Sequence, residues 1–216
     1  MPTITGHRNK KKLIQALPSE MRVKYKDIFN LVDFYKALRY WLEEYNWTAE
    51  DDSGKTDGDF YETLYLEKIG TDGSKEIRFE WRLSRNSPSS GSIGSGQAVK
   101  QYLDLNFQCY GVSNTEVIRD GIKYKANKGE VEVKMNAYIE KSFESTFEKH
   151  PILKHFITLF NREIYDWRER EKELYQEVYV LQNFIKQWFK LKRYLPYEEA
   201  KAFHESRAWP SHHKED

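Results

Sequence analysis

The sequence predicts an α+β protein: an amphipathic helix, an antiparallel meander sheet of about five to six strands, and a long C-terminal helix. Three observations support this class. Apolar residues recur at helical spacing over 27–47, apolar and charged residues alternate strictly over 76–83, and residues 152–195 contain no glycine or proline. We therefore expect helices to cover one face of a single sheet.

The first helix is predicted over residues 27–47, behind a basic arm formed by residues 1–26. The arm carries seven basic residues against one acidic residue, and an acidic, glycine-containing loop follows the helix. The whole chain has 35 basic and 34 acidic residues, so no global field favours nucleic acid or lipid. The apolar helix positions are Ile28, Leu31, Val32, Tyr35, Leu38, Trp41, Leu42 and Tyr45.

Strands are predicted at 60–69, 75–83, 101–112, 116–119, 122–125 and 131–140. The second is the clearest, because every second residue from Ile77 to Leu83 is apolar and the residues between are charged, which indicates one buried face. Asp120 and Gly121 suit a hairpin turn. The serine- and glycine-rich segment 84–100 is predicted as a mobile loop.

The long helix is predicted as one element from Ile152 to Leu195, between Pro151 and Pro196. At 1.5 Å per residue it would be about 66 Å long, more than its own globule could cover. Its apolar residues follow a 4-3 spacing typical of coiled coils. The alternative is that the helix packs on the sheet and bends at residues 168–173. The proposed interaction seam is Leu174, Val178, Leu181, Ile185 and Trp188.

These elements divide the chain into four parts. Residues 1–26 are the basic arm, 27–150 form the helix and sheet domain, 151–196 form the long amphipathic helix, and 197–216 form a tail. No stretch approaches the roughly 20 apolar residues that span a bilayer, and the amino terminus lacks the apolar region of a secretory signal. A single cysteine suits a reducing compartment, so we expect a cytoplasmic location.

Two groups of polar residues are candidates for chemistry. The first group mixes basic and aromatic residues near the end of the long helix and could contact polyanions. Alternatively, its positive charges simply interact favourably with the dipole at the C-terminus of the helix. Its basic members are Lys186, Lys190, Lys192 and Arg193. The second is the polar face of the sheet, where a carboxylate pair could act, although ion pairing in solvent is commoner. That face holds Arg78, Glu80, Arg82, Asp104, Asn106, Glu132 and Lys134.

The sequence predicts no metal site, no cofactor and no catalytic set of residues. The histidines lack the spacing of metal ligands, and Cys109 falls on the apolar side of its strand, where a thiol is usually inert. The glycines over 91–96 fit neither a dinucleotide nor a phosphate-loop pattern.

A resemblance rests on two strings, Glu148-Lys-His-Pro-Ile-Leu-Lys154 and Leu191-Lys-Arg-Tyr-Leu-Pro196, on either side of the long helix. Together with the helix they resemble uncharacterised proteins predicted from archaeal genomes, over roughly residues 28–196. The resemblance implies an archaeal cytoplasmic setting and carries over no functional residue.

Three hypotheses of function follow. The first is a non-enzymatic interaction or assembly protein whose long helix pairs with a second copy or with another protein. The second is a ligand-binding domain with an apolar cavity between helix and sheet, which resembles helix-grip folds only by analogy. The third is binding to RNA, the ribosome or an anionic membrane through the basic segments. We take the first as the leading hypothesis.

Overall fold

A seven-stranded antiparallel sheet with two helices makes up the part of the chain that the computed structural model describes: residues 13–49, 61–87, 92–93, 96–97, 99–119, 122–141, 155 and 167–191. The α+β class is confirmed. Two further two-residue strands form a separate small hairpin. In chain order the elements are β1 (Leu13–Gln15), β2 (Met21–Phe29), α1 (Leu31–Glu44), β3 (Thr48–Ala49), β4 (Glu62–Ile69), β5 (Lys75–Asn86), β6 (Ser92–Ile93), β7 (Gly96–Gln97), β8 (Lys100–Arg119), β9 (Ile122–Glu140) and α2 (Trp167–Trp188).

The sheet is an antiparallel meander, and the first two strands of the chain form one of its edges. Strands β4, β5, β8 and β9 follow one another across it, and β1 and β2 both pair with the free side of β9. β3 and β4 both pair with the outer side of β5. Among the described strands, β2 and β4 are therefore the two long edges of an open sheet.

The strands bury one apolar face, called here the helix face. Ile77, Phe79, Trp81 and Leu83 on β5 are all buried, as their alternation predicts. Across the ladder Phe79 stacks on Phe107 of β8, with ring centroids 4.2 Å apart. Such cross-strand aromatic pairs stabilise an antiparallel sheet, so this face forms the centre of the core.

Helix α1 lies on the helix face over β5 and β8. Asn30 caps it, because the Asn30 side chain accepts hydrogen bonds from the backbone N–H groups of Val32 and Asp33. The helix begins at Leu31 rather than at residue 27, since β2 stays paired with β9 as far as Phe29. Its buried face comprises Phe34, Ala37, Leu38, Trp41 and Leu42.

Helix α2 lies beside α1, over β2 and β9. Phe189, just after the helix, packs against Phe34 of α1 at 4.8 Å and stacks on Tyr25 of β2 at 4.5 Å. The helix ends before Leu195, its predicted end. Lys190 has a left-handed backbone (φ 54), and the N–H of Leu191 donates to the carbonyl of Lys186 at 2.7 Å, which closes the helix.

The structure corrects three further expectations. Residues 13–15 and 21–26, expected in a basic arm, lie in β1 and β2. The six predicted strands become four, because 101–112 and 116–119 join in β8 while 122–125 and 131–140 join in β9, and the unpredicted β1, β2 and β3 bring the described sheet to seven. A bulge between Tyr110 and Ser113, with Gly111 at φ 59, lets β8 continue through its irregular centre. Part of segment 84–100 forms β-structure, and the predicted turn at 120–121 and most of 152–166 lie outside the described residues.

We expect Leu181→Ala to destabilise the protein by about 2–5 kcal/mol, because Leu181 is fully buried between α2 and the sheet. Tyr175→Ala, on the exposed side of the same helix, should cost at most about 1 kcal/mol. Urea unfolding of both variants measures the difference. Equal losses would mean that α2 does not pack as described.

Candidate functional site

The face of the sheet opposite the helices carries a polar grid of nine residues on three neighbouring strands. The register places Glu80 beside Asn106, Arg82 beside Asp104, and Ser84 beside Tyr102, and β9 completes each row. Seven of the nine are buried, with Arg82 only 1% and Asp104 0% exposed. The grid consists of Glu80, Arg82, Ser84, Tyr102, Asp104, Asn106, Lys134, Asn136 and Tyr138. The expectation of solvent-exposed ion pairs on this face is therefore wrong for its centre.

Arg82 is the central charge of the polar grid. Its guanidinium donates to Glu80 at 2.5 Å and to the carbonyls of Trp81 and Leu105 at 3.0 and 3.3 Å. Its Nε atom lies 3.9 Å from a carboxylate oxygen of Asp104. Glu80 also accepts from Arg78, at 2.6 Å. Because each Glu80 oxygen is held by a different arginine, this carboxylate is fixed as an acceptor, which supports a structural role over that of a general base.

A second buried polar cluster, the Arg85 latch, lies on the helix face. Arg85 donates to the carboxylate of Glu177 on α2, to the carbonyl of Tyr45 at 2.7 Å and to Gln101 at 2.9 Å. The indole of Trp47 donates to the other Glu177 oxygen at 2.8 Å, and the guanidinium lies 4.3 Å over the Trp47 ring. The latch thus ties the end of α1, two strands and α2 to one guanidinium.

Sequence reasoning missed the Arg85 latch because residue 85 fell in the segment predicted as a loop. The sequence nevertheless contains a signal that could have identified Arg85. Arg85 continues the alternation that runs through Trp81 and Leu83, so it belongs to the buried face. A charged residue in such a series indicates a buried partner.

An open groove of about 580 Å³ lies between α1 and strands β4 and β5. Ile77 and Phe79 are among its apolar residues, and Tyr35 and Tyr65 also line it; the others are Leu31, Val32, Lys36, Arg39, Tyr40, Glu43 and Glu62. Burial, with the nearby Glu62 carboxylate, raises the pKa of Tyr35 to about 12. Burial and the hydrogen bond to Glu67 raise the pKa of Tyr65 to about 12. Both tyrosines therefore remain hydrogen-bond donors at neutral pH.

Strand β4 borders this groove and exposes apolar side chains. Tyr65 is 51%, Leu66 53% and Ile69 68% exposed. Within the described sheet β4 pairs only with β5, so its outer side is an edge. Strand β4 carries a bulge between Glu62 and Leu64, a feature that limits pairing at that end, whereas its regular part from Leu64 to Ile69 exposes apolar side chains beside which another strand can add.

The residues of the predicted interaction seam are buried in the protein core. Leu174, Val178, Leu181 and Ile185 are buried against the sheet and α1, and Trp188 is half-buried beside Phe34. In this chain the apolar stripe of α2 is therefore covered by the protein's own core.

The predicted polyanion contacts are only partly described. Lys186 is half-buried and donates to Gln182 at 2.9 Å, and burial lowers the pKa of its amine. Lys190 is exposed in the turn that ends α2, whereas Lys192 and Arg193 lie outside the described residues. In the arm, Arg22 pairs with Glu132 at 3.1 Å and Lys24 with Glu130 at 2.7 Å. Polyanion binding stays a prediction.

Over the described ranges, no three histidine, cysteine, aspartate or glutamate side chains are grouped to hold a metal ion. Burial raises the pKa of the Cys109 thiol to about 12. Neither described helix is both long and apolar enough to cross a membrane.

Comparison with known proteins finds no matching family model, no curated protein with significant similarity and no solved structure with significant similarity. The proposals below therefore rest on geometry, and the resemblance to archaeal proteins stays a prediction.

We expect Arg85→Met to destabilise the protein by about 3–5 kcal/mol, because it leaves the Glu177 carboxylate largely buried without its cation. Glu177→Met should destabilise the protein by a similar amount, because it leaves the Arg85 guanidinium buried without its carboxylate partner. In a double-mutant cycle the double variant should lose less than the two singles combined. Urea unfolding gives the three values.

Lys123→Met is the control for this cycle, because the Lys123–Glu116 pair is exposed on both sides. It should leave the unfolding midpoint unchanged. Additive losses in the cycle would contradict a coupled latch.

Proposed function

We propose that the protein is a non-enzymatic interaction protein that binds an extended segment of a partner protein along β4. The exposed apolar edge of β4 carries this proposal. An edge strand offers backbone N–H and C=O groups that a further strand can pair with, and the regular part of β4, from Leu64 to Ile69, provides such a ladder. Tyr65, Leu66 and Ile69 supply apolar area on both sides of that edge.

The groove supports a particular kind of partner segment. Side chains of a strand alternate between the two faces of a sheet, so every second residue of an added strand would lie on the helix face, beside α1. There the groove offers Ile77 and Phe79 as apolar contacts, with Val32 and Tyr40 of α1 exposed along it. We therefore expect a partner segment with apolar residues at alternating positions.

This proposal keeps the interaction hypothesis but places the interface elsewhere. Pairing through α2 would require the buried seam, including Leu181, to leave the core, and that exposure would cost several kilocalories per mole. Pairing along β4 requires no such rearrangement. The edge is therefore the better supported surface.

Selection from a random peptide library displayed on phage tests the proposal. The wild-type protein should enrich peptides with apolar residues at alternating positions. A selected peptide should slow hydrogen exchange of the β4 backbone amides, because strand addition gives them new acceptors. Binding should fall at least tenfold in Tyr65→Lys.

Ile118→Lys is the matched control, since Ile118 is also an exposed strand residue, on β8, and does not line the groove. It should bind the peptide normally. Selection of no alternating peptide, or binding that leaves β4 exchange unchanged, would overturn the proposal.

A second candidate function is binding of a small apolar ligand in the same groove. Its volume of about 580 Å³ falls within the range of about 300–1,000 Å³ typical of ligand pockets. This groove lies under α1, whereas the sequence-based hypothesis placed a cavity under the long helix. Lys36 on the rim would favour an anionic end group.

The probe 1-anilinonaphthalene-8-sulfonate distinguishes this candidate. We expect saturable binding to one site, weakened at least fivefold in Val32→Glu and unchanged in Ile118→Glu. A small ligand should leave the exchange of the β4 amides unaltered, unlike a peptide. Equal binding to both variants would exclude the groove as the site.

A further inference from the structure

Basic side chains from two neighbouring strands lie together on the polar face of the sheet, beside the polar grid. On β2 the alternation puts Arg22, Lys24 and Lys26 on this face, and on β9 it adds Lys128. The two strands pair over this whole stretch, so the four residues form one group, called here the basic face. Three of the four belong to the segment that the sequence predicted as a basic arm.

The positive charges of the basic face reach solvent, whereas the neighbouring negative charges are largely covered. Arg22 pairs with Glu132, but its side chain is 56% exposed against 11% for the glutamate. Lys24 pairs with Glu130 in the same way, at 57% against 20%. The other two basic residues of the group are exposed and form no ion pair with a described residue. A ligand that approaches this face therefore meets a positive surface.

Exposed aromatic and apolar side chains lie among these basic residues. Tyr110 of β8 is exposed on the same face, beside Lys24. Ile28 is also exposed and lies opposite Lys128 in the register. Further along β9 the alternation presents the exposed Tyr124, where, within the described sheet, β8 and β9 pair only with each other. The surface thus combines positive charge with ring faces that are open to solvent.

The backbone around Tyr110 is held in a defined position. The Tyr110 hydroxyl donates to Gln108 at 2.9 Å, which orients the ring along the face. The bulge of β8 follows directly, and Gly129 of β9 lies beneath it. A Cβ atom at Gly129 would lie 3.0 Å from the carbonyl oxygen of Tyr110, so glycine permits the close approach of the two strands here. Bulges commonly re-aim side chains at binding sites, and this one ends the regular ladder next to the exposed ring.

We propose that the basic face, together with Tyr110, binds single-stranded nucleic acid. Basic residues at alternate positions of a strand are about 7 Å apart, so those on β2 form a track that can follow a phosphate backbone. Tyrosine rings beside such a track are sites on which nucleobases stack with little regard to sequence. Both described helices pack on the opposite face of the sheet. None of these residues lines the groove at β4, so the inference is independent of the proposed function.

Fluorescence anisotropy with a labelled oligodeoxythymidine of about 16 nucleotides tests the proposal on the full chain. The wild-type protein should bind, and its affinity should fall between about 50 and 200 mM salt because counterions are released on binding. Lys26→Gln and Lys128→Gln should each weaken binding and lower the slope of log affinity against log salt by about 0.7. Lys36→Gln, exposed on α1, is the matched control and should bind as the wild type does.

Tyr110 provides a second readout, which loss of charge alone does not change. Tyr110→Ala should weaken binding at least fivefold and leave the salt slope unaltered, because it removes a stacking surface and no charge. Tyr110→Phe keeps the ring and should bind normally, although it loses the hydrogen bond to Gln108. Tyr40→Ala removes an exposed tyrosine from α1 and is the control. Unfolding midpoints close to wild type would show that the variants are folded.

Failure of the wild-type chain to bind the oligonucleotide at low salt would overturn the inference, as would binding that the lysine and Tyr110 variants leave unchanged. Vesicles of phosphatidylserine and phosphatidylcholine in equal parts give the remaining comparison. Vesicle binding that needs Lys26 and Lys128, with no binding of the oligonucleotide, would make this surface a membrane contact and the inference wrong. Selection of peptides at β4 is a separate measurement, so the proposed function can fail while this inference holds, and the reverse.

Discussion

The ion pair between Arg85 and Glu177 fixes the position of the second helix, and much of the core depends on it. A helix that lies on a sheet through apolar contacts alone can shift along its axis at small cost, because the hydrophobic effect is non-directional. The latch removes this freedom. Its guanidinium holds Glu177, Gln101 and the carbonyl of Tyr45 in fixed directions. The packing of Phe184 and Phe189 against α1 follows from that position.

The two faces of the sheet show two ways of burying strands. Apart from the Arg85 latch, the described helix face is mainly apolar, so most of its stability comes from apolar area and aromatic packing. The polar grid instead buries charges that are costly to desolvate unless each has a partner. Arg82 meets this condition through two carboxylates and two backbone carbonyls. Such a network specifies the register of β5 against β8, since a shift of one residue would separate every pair.

Much of the fold could be predicted from periodicity, because strand alternation and helical spacing are local properties of the sequence. The alternation of β5 and the apolar stripe of α2 were recognised in this way. The predictions that failed concern features that depend on residues far apart in the sequence. In isolation residues 21–26 look like part of a charged arm and residues 27–29 like the start of a helix, and they become one strand because β9 provides a partner ladder. The latch joins residues 92 positions apart, and no local pattern of charge identifies that pair. The groove likewise requires knowing that α1 crosses over β5.

The burial of the α2 stripe changes where association between molecules can occur. A long apolar stripe suggests a coiled coil only if nothing within the chain covers it, and here β2, β9 and α1 cover it. The described strands, however, form an open sheet with two edges, and one of these edges carries Arg22, Lys24 and Lys26, charges that disfavour further pairing. The other edge, β4, exposes Leu66 and Ile69 to solvent. Among the described strands, one edge thus carries charged side chains and the other exposes apolar ones, which supports the proposed strand addition along β4 over addition along β2.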